Sequence, residues 1–269
     1  MVPDAQKVIE IIHEAAATLI MPRFRQLNDD QVREKSPGDL VTIADVETEK
    51  FLEANLYPLI SNSLVVGEEN AEDSPEILER LKTDSPVWVI DPLDGTRNFA
   101  HQREPFTTIV AYCQGGETLM GWIHDPVANE TVWAAKGQGC WSGNNRLMLP
   151  EPVAIEQMKG SLSSRIAKRL QLKSGAPHNI NRVGCVGRDY MDLVLGRLDF
   201  ARYAFHLKPW DHAAGVLIHT EAGGASRLLK ADKPYHPDLT PKQAVADDEV
   251  LMLAPDEGSL DKLALLLKN

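Results

Sequence analysis

Cysteine is scarce: Cys113, Cys140 and Cys185 are the only three in 269 residues, an odd number with no C-x-x-C spacing. That argues against a disulfide framework and against a thiolate zinc site. The three read as small buried hydrophobes rather than as a cysteine nucleophile. Long apolar runs are missing too. The longest, such as residues 250–254 and 263–267, are far too short to cross a bilayer, so no membrane partner is expected. Residues 1–10 carry Asp4 and Glu10 and no basic region leading into an apolar one, so no signal peptide is visible and a cytoplasmic protein is expected. Positive charge is in deficit, with 28 Lys plus Arg against 39 Asp plus Glu and a formal charge of −11. General nucleic-acid binding needs a cationic surface, and this balance argues against it. A small anionic substrate held by metal ions is not. There is no internal repeat and no low-complexity tract.

What is present is an ordinary globular composition, 43% hydrophobic and 25% charged. A chain of this length hides roughly 70–75% of its unfolded surface on folding, so it needs no staple. Val8, Ile11, Ile12, Ala15, Ala16, Leu19 and Ile20 fall at helical spacing, which predicts an amphipathic helix over 5–27. A turn follows at 36–39, then a helix from Thr42 or Asp45 to about Tyr57. Strands are expected at 64–67, 87–91, 107–112, 119–124 and 131–134, the last three as antiparallel neighbours. Pro150 and Pro152 mark a soft boundary, giving an N-terminal half at 1–150 and a C-terminal half at 151–269. The second half alternates: a strand at 161–162, helices at 163–172, 188–195 and 210–221, strands at 225–229 and 250–254, and a last helix at 260–267. Helices and strands mix in both halves, so the class is α/β or α+β with layered sheets.

Three short acidic segments carry chemistry: Gly67-Glu68-Glu69, Asp91-Pro92-Leu93-Asp94-Gly95-Thr96, and Trp210-Asp211-His212-Ala213-Ala214-Gly215. In the first two, carboxylates follow an apolar strand and so sit at a sheet rim, where ligands usually bind. Asp211 opens a helix, where the dipole favours a carboxylate. Taken singly, each has a plain explanation: a solvated strand end, a turn, a helix cap. Brought together, the carboxylates would repel one another and take up protons unless hard cations joined them. Magnesium prefers oxygen ligands and keeps several waters, so one or two carboxylates per ion suffice. Two such ions about 3.5–4 Å apart form a clamp for phosphoryl hydrolysis. Gly95 permits close approach of backbone to phosphate.

These three segments, in this order and at this separation, resemble the signature of the inositol monophosphatase family. The five fixed residues of Asp-Pro-x-Asp-Gly-Thr would arise by chance in such a chain on the order of once in ten thousand. Asp39-Leu40-Val41-Thr42-x-Ala44-Asp45 resembles a fourth family segment. The resemblance implies an αβαβα sandwich, a homodimer, and magnesium-dependent, lithium-sensitive hydrolysis of small phosphomonoesters. Position by position, it implies that Glu68, Asp91 and the Leu93 carbonyl hold a first Mg²⁺. Asp91, Asp94 and Asp211 hold a second, and Glu68 supports a weaker third through water. It further implies direct in-line attack by a metal-bound water, activated by a Thr96–Asp45 relay. The phosphate then rests against Asp94, Gly95, Thr96 and Asp211. Glu69 matches a family acid less directly involved.

Other positions carry less. Lys35 lies in a loop that approaches the third ion in relatives, one residue shorter here, and is equally a surface lysine. His101, His124, His206 and His212 are expected in polar or packing roles, and Arg97 at the substrate or in solvent. Inositol-processing relatives usually place an acid about seven positions before the Trp-Asp aspartate; here that position is Ala204. Residues 184–187 occupy another pocket-lining stretch. Inositol 1-phosphate is thus the default substrate, with histidinol phosphate, a nucleotide 3′-phosphate, a sugar phosphate and NADP as alternatives. A regulatory or binding protein on the same scaffold is the reading from another class. A calcium-binding module is disfavoured by the absence of EF-hand spacing.

Overall fold

Asp4 caps the first helix, its carboxylate accepting from Gln6 N at 2.8 Å and Lys7 N at 3.2 Å. The computed structural model describes residues 2–36, 39–170, 173–204, 207–238 and 249–267. Helix α1 (Ala5–Ala15) does not run on to residue 27 as the periodicity predicts. It widens into a π-helical turn at Ala16–Ile20, with Met21 N bonded to Ala16 O, and then breaks into turns. Pro22 and the left-handed Arg25 (φ 62°) stop the regular winding there. The turn expected at 36–39 includes residues outside those described. Around it, β1 (Val32–Ser36) and β2 (Asp39–Thr42) pair antiparallel, a hairpin the sequence reading lacked.

Helix α2 (Ile43–Leu56) starts at a capping box formed by Thr42 and Asp45 and ends at Tyr57-Pro58. Then come β3 (Leu64–Gly67), α3 (Glu68–Asp73), β4 (Val87–Asp94), α4 (Thr96–Ala100), β5 (Thr107–Gln114), β6 (Glu117–Asp125), β7 (Glu130–Ala135), β8 (Gly139–Ser142) and β9 (Asn145–Leu147). These strands form a seven-stranded sheet in chain order, parallel between β3 and β4 and antiparallel beyond. Strand β4 runs three residues past the expected end. A register shift between Asp91 and Asp94 lets it turn without leaving the sheet.

The remaining elements are β10 (Lys159–Ser161), α5 (Ser164–Leu170), β11 (Asn179–Asn181), α6 (Val186–Val194), β12 (Phe200–Ala204), α7 (Pro209–Glu221), β13 (Ala225–Leu228), β14 (Val250–Ala254) and α8 (Glu257–Leu267). They supply a five-stranded sheet of order β11-β10-β12-β14-β13. Strands β8, β9, β11 and β12 were not foreseen; all but β12 are only three or four residues long, too short to show a period.

The core shows why the layers stack. Val8, Ile12, Leu52 and Leu56 from α1 and α2 meet Trp88, Val110, Tyr112 and Trp122 on one face of the large sheet. Its other face, through Val89, Ile109 and Ile123, packs on Tyr190, Leu193, Ala214 and Ile218 of α6 and α7. The same cluster reaches Ala201, Tyr203, Leu251 and Leu253 on the inner face of the small sheet. Phe200, Met252 and Ala254 on its outer face cover Leu170 of α5 and Leu260 and Leu263 of α8. The order is helix, sheet, helix, sheet, helix: the αβαβα sandwich expected. Among the described residues no helix is long and apolar enough to cross a membrane.

Candidate active site

Helix α2 buries an unusual stripe. Asp45, Thr48, Glu49, Leu52 and Leu56 all face inward, so three polar side chains share a face with the apolar ones. Each of the two acids has work to do. Asp45 Oδ2 accepts from Thr42 N at 2.8 Å and from Thr42 Oγ1 at 2.6 Å, which closes the helix N-terminus. Its other oxygen, Oδ1, is left for Thr96 Oγ1 at 2.9 Å. Glu49 caps a second helix, accepting from Glu69 N at 2.8 Å and Asn70 N at 3.0 Å at the start of α3. Gly67 makes room for this: a Cβ there would lie 2.3 Å from the Glu49 carboxyl carbon. Glu49 escaped the sequence reading. The signal was available, since it falls four residues after Asp45 on the line that continues to Leu52 and Leu56.

Strand β4 ends in Asp91, Leu93 and Asp94, all buried, and Gly95 (φ 89°) then swings the chain into α4. A side chain on Gly95 would be strained by that backbone and would sit 3.0 Å from Pro105 O. The turn places Thr96 Oγ1 2.9 Å from Leu93 O as well as near Asp45. Asp91 Oδ1 accepts from Leu93 N at 3.1 Å, which holds the acid against its own turn. Asn98, on the short helix expected to run through Asn98 and Phe99, fastens α4 to both halves by donating to Pro105 O at 2.8 Å and Val183 O at 2.9 Å.

The C-terminal part approaches from the far side. Asp94 Oδ2 accepts from Gly187 N at 2.6 Å, from Cys185 Sγ at 3.1 Å and from Thr107 Oγ1 at 3.2 Å. Residues 184–187 therefore grip an acid of β4. Asp211 stands in the first turn of α7.

Electrostatics tie the acids together. Burial raises the pKa of Asp91, and the charges of Glu68, Asp94, Asp211 and Asp45 raise it further. Glu68 is raised by burial and by Asp211, Glu69 and Asp45, against the pull of Lys35. Burial and then Asp94 push Asp211 up to about 8. Asp94 is raised by burial despite its hydrogen bonds. Asp45 rises to about 6, burial outweighing its bonds to Thr42 and Thr96. Glu68, Asp91, Asp94 and Asp211 thus feel one another's charge across the space where β3, β4 and α7 converge. Among the described residues no three acid, imidazole or thiol groups close tightly enough to cage an ion unaided. The donors are all oxygen; Asp91 and Asp94 are buried, Glu68 and Asp211 half-buried. That set suits a hard divalent ion that keeps part of its water and takes one or two carboxylates.

One lysine answers the acids. Lys35 Nζ lies 2.9 Å from Glu72, 3.1 Å from Glu69 and 3.6 Å from Glu68. Burial works against its charge, but Glu68, Glu72 and Glu69 prevail and its pKa is raised. It is not a free surface lysine. The histidines are packing and polar groups: His124 bonds Thr131, His212 bonds the Tyr190 hydroxyl, and exposed His101 bonds Arg97 O. His206 lies outside the described residues. Arg97 faces solvent. All three cysteines are buried and unpaired in disulfides.

Residues 4–252 match the model of the inositol monophosphatase family. The inositol-1-monophosphatase of Bacillus subtilis (strain 168) is 29% identical over 229 residues, 82% of this chain and 83% of that protein. The fructose-1,6-bisphosphatase/inositol-1-monophosphatase of Thermotoga maritima is 30% identical over 196 residues, 71% and 73% of the two chains. A solved Thermotoga maritima IMPase superposes with a TM-score of 0.78 at 24% identity, over 96% of this chain and 94% of that one. The extragenic suppressor protein suhB of Bartonella henselae gives 0.78 at 24%, over 98% of each chain. The layered fold is therefore the one these structures share.

Proposed function

The chain belongs to the inositol monophosphatase family and is a phosphomonoesterase, and on that footing we propose that it hydrolyses a small phosphomonoester with magnesium by direct in-line displacement. Glu68, Asp91 and the Leu93 carbonyl would hold one ion; Asp91, Asp94 and Asp211 would hold a second; Glu68 would lean on a weaker third. Such ions supply positive charge for the phosphate and make a nearby water more acidic. The site straddles the two halves we assign to 1–150 and 151–269. The family further leads us to expect a homodimer and lithium inhibition.

The observation that carries the reading is the Asp45–Thr96–Leu93 contact beside the buried acids. With its hydroxyl proton directed at Asp45 Oδ1, Thr96 keeps its lone pairs for a water. A threonine alone is a poor base, and the ionised Asp45 makes it a useful acceptor. Because Asp45 titrates near 6, it is mostly ionised at neutral pH. The water is thereby oriented toward a phosphate resting near Gly95 and Thr96. Water adds to phosphorus as its proton passes to Thr96 and Asp45, the ester P–O bond breaks, and the leaving oxygen takes a proton from solvent.

Purified protein assayed with magnesium against a panel of phosphomonoesters tests this. We expect magnesium-dependent phosphate release from at least one; metal binding with no release from any would favour a binding protein.

Stability should report Asp211 and three further raised acids, Glu49, Glu69 and Asp189, the last of which accepts from Ser161 Oγ and the Tyr203 hydroxyl. Asp211 at about 8, and Glu49, Glu69 and Asp189 at about 7, are all raised in the folded state. The native protein then holds more protons than the unfolded chain, so stability falls as pH rises through these values. Buried His124, His212 and His219 are depressed by burial to between about 3 and about 4 and act oppositely, mainly below the ordinary histidine pKa of 6.5. Between pH 6.5 and 8.5 that opposition fades as the unfolded histidines lose their protons, and the raised acids outweigh it. The metal-free Tm should drop across that window, and millimolar magnesium should shrink the drop, since binding favours the ionised acids. An equal drop with and without magnesium would contradict the metal assignment.

A further inference from the structure

One acid of the cluster is held far more firmly than its neighbours. Asp91 accepts from Leu93 N alone, at 3.1 Å. Asp94 accepts from Gly187 N at 2.6 Å, Cys185 Sγ at 3.1 Å and Thr107 Oγ1 at 3.2 Å. All three bonds fall on Oδ2 and none on Oδ1. A buried carboxylate needs partners, but nothing in burial requires that they crowd one side of it.

The crowding is built into the fold. Thr107 stands directly opposite Asp94 in the β4–β5 pairing, and its side chain is buried. Cys185 and Gly187 lie where the chain enters α6, ninety residues away in sequence. The thiol is buried too, 3.5 Å from Thr107 Oγ1 and 3.6 Å from the Asp94 carbonyl. Thiol, hydroxyl and Oδ2 thus close a triangle. Two glycines leave space for it. A Cβ on Gly187 would sit 2.2 Å from Thr107 Oγ1, and one on Gly95 would sit 3.3 Å from Cys185 Cβ.

An ionised carboxylate offers about four lone-pair sites, two on each oxygen. Three donors on Oδ2 use what that oxygen has to give, so Oδ1 alone is left for a cation. The number of oxygens a carboxylate can lend bears on which cation it suits. Calcium takes roughly six to eight oxygen ligands and readily accepts both oxygens of one carboxylate. Magnesium demands near-ideal octahedral geometry, keeps several waters and draws on few carboxylates.

We propose that Thr107, Cys185 and Gly187 form a latch that restricts Asp94 to one ligand oxygen and thereby makes the site prefer Mg²⁺ to Ca²⁺. Thr107 and Cys185 are positioning residues, acting through Asp94. The latch rests on the metal-site reading of Glu68, Asp91, Asp94 and Asp211 and adds to it a source of selectivity. Loss of both side-chain donors leaves Gly187 N in place, so Oδ2 keeps one bond and regains a lone pair.

The test reads binding rather than turnover. Protein stripped with EDTA and dialysed is titrated calorimetrically with Mg²⁺ and, separately, with Ca²⁺. The wild type is compared with Thr107→Val, Cys185→Ala and the double variant. The wild type should bind Mg²⁺ at least as tightly as Ca²⁺. In the double variant the ratio of Mg²⁺ to Ca²⁺ affinity should fall at least tenfold, within the span of about 10–100-fold typical when partners of metal ligands are removed. Each single variant should lower it about threefold. Thr107→Ser keeps the hydroxyl and should stay within twofold of the wild type. A packing role would weaken both ions alike. That result, an unchanged ratio, or tighter Ca²⁺ than Mg²⁺ binding by the wild type would overturn the latch and leave the metal site standing. No Mg²⁺ binding by the wild type would instead sink the underlying reading. Melting curves in EDTA show whether the double variant folds; if it does not, the single variants decide by the same ratio.

Discussion

Asp94→Asn is expected to lower kcat/KM with magnesium by a thousandfold or more while leaving the metal-free protein at least as stable as the wild type. The carboxylate is buried, 9% exposed, and is raised in pKa by that burial. Its negative charge also raises Asp91 and Asp211. An amide removes a charge that the apo fold is better without. The hydrogen bonds survive the change, because one amide oxygen can still accept from Gly187 N and Thr107 Oγ1. Catalysis has no such latitude. Metal-derived charge stabilisation is worth several kcal/mol, and each 1.4 kcal/mol or so is tenfold in rate. Initial rates across a magnesium series, with melting curves in EDTA, separate the two effects. Full activity would remove Asp94 from the metal site. A collapse of the fold would make its role structural.

Thr96→Ala should reduce kcat by about 10²–10³, within the range typical of positioned acid–base groups, and leave KM within a few-fold. The hydroxyl is 2.9 Å from both Asp45 Oδ1 and Leu93 O, so its removal breaks the only side-chain link from Asp45 to α4 that the structure records. Thr96→Ser keeps the hydroxyl and should recover most of the rate. Asp45→Asn should fall with Thr96→Ala, and the double variant should be little worse than either, because a relay missing one member gains nothing from the other. Additive losses would mean that the two residues act independently. An unchanged kcat in Thr96→Ala would reject the relay.

Much of this was legible in the sequence because the chemistry sits in short contiguous segments. Asp-Pro-Leu-Asp-Gly-Thr carries its own turn, and the apolar run before it marks the strand. The layered class followed from helical and strand periods alternating in both halves. The illegible parts share a cause: their meaning is tertiary. Glu49 caps a helix twenty residues away through space that only Gly67 leaves open. Asp94 is gripped by Gly187, ninety-three residues on. Lys35 was equally a surface or a functional residue until the β1–β2 hairpin brought it against Glu68, Glu69 and Glu72. Cys185 and Thr107 read as a buried thiol and a strand residue until the fold set both against Asp94. The first helix was misjudged in length because apolar spacing continues through a π-turn that periodicity does not distinguish.

Anomalous diffraction from crystals grown with millimolar Mn²⁺ as a stand-in for magnesium tests the central claim most directly. We predict at least two anomalous peaks about 3.5–4 Å apart, one within bonding distance of Glu68 and Asp91 and the other of Asp91, Asp94 and Asp211. Well-ordered side chains at those positions with no anomalous density between them would contradict it.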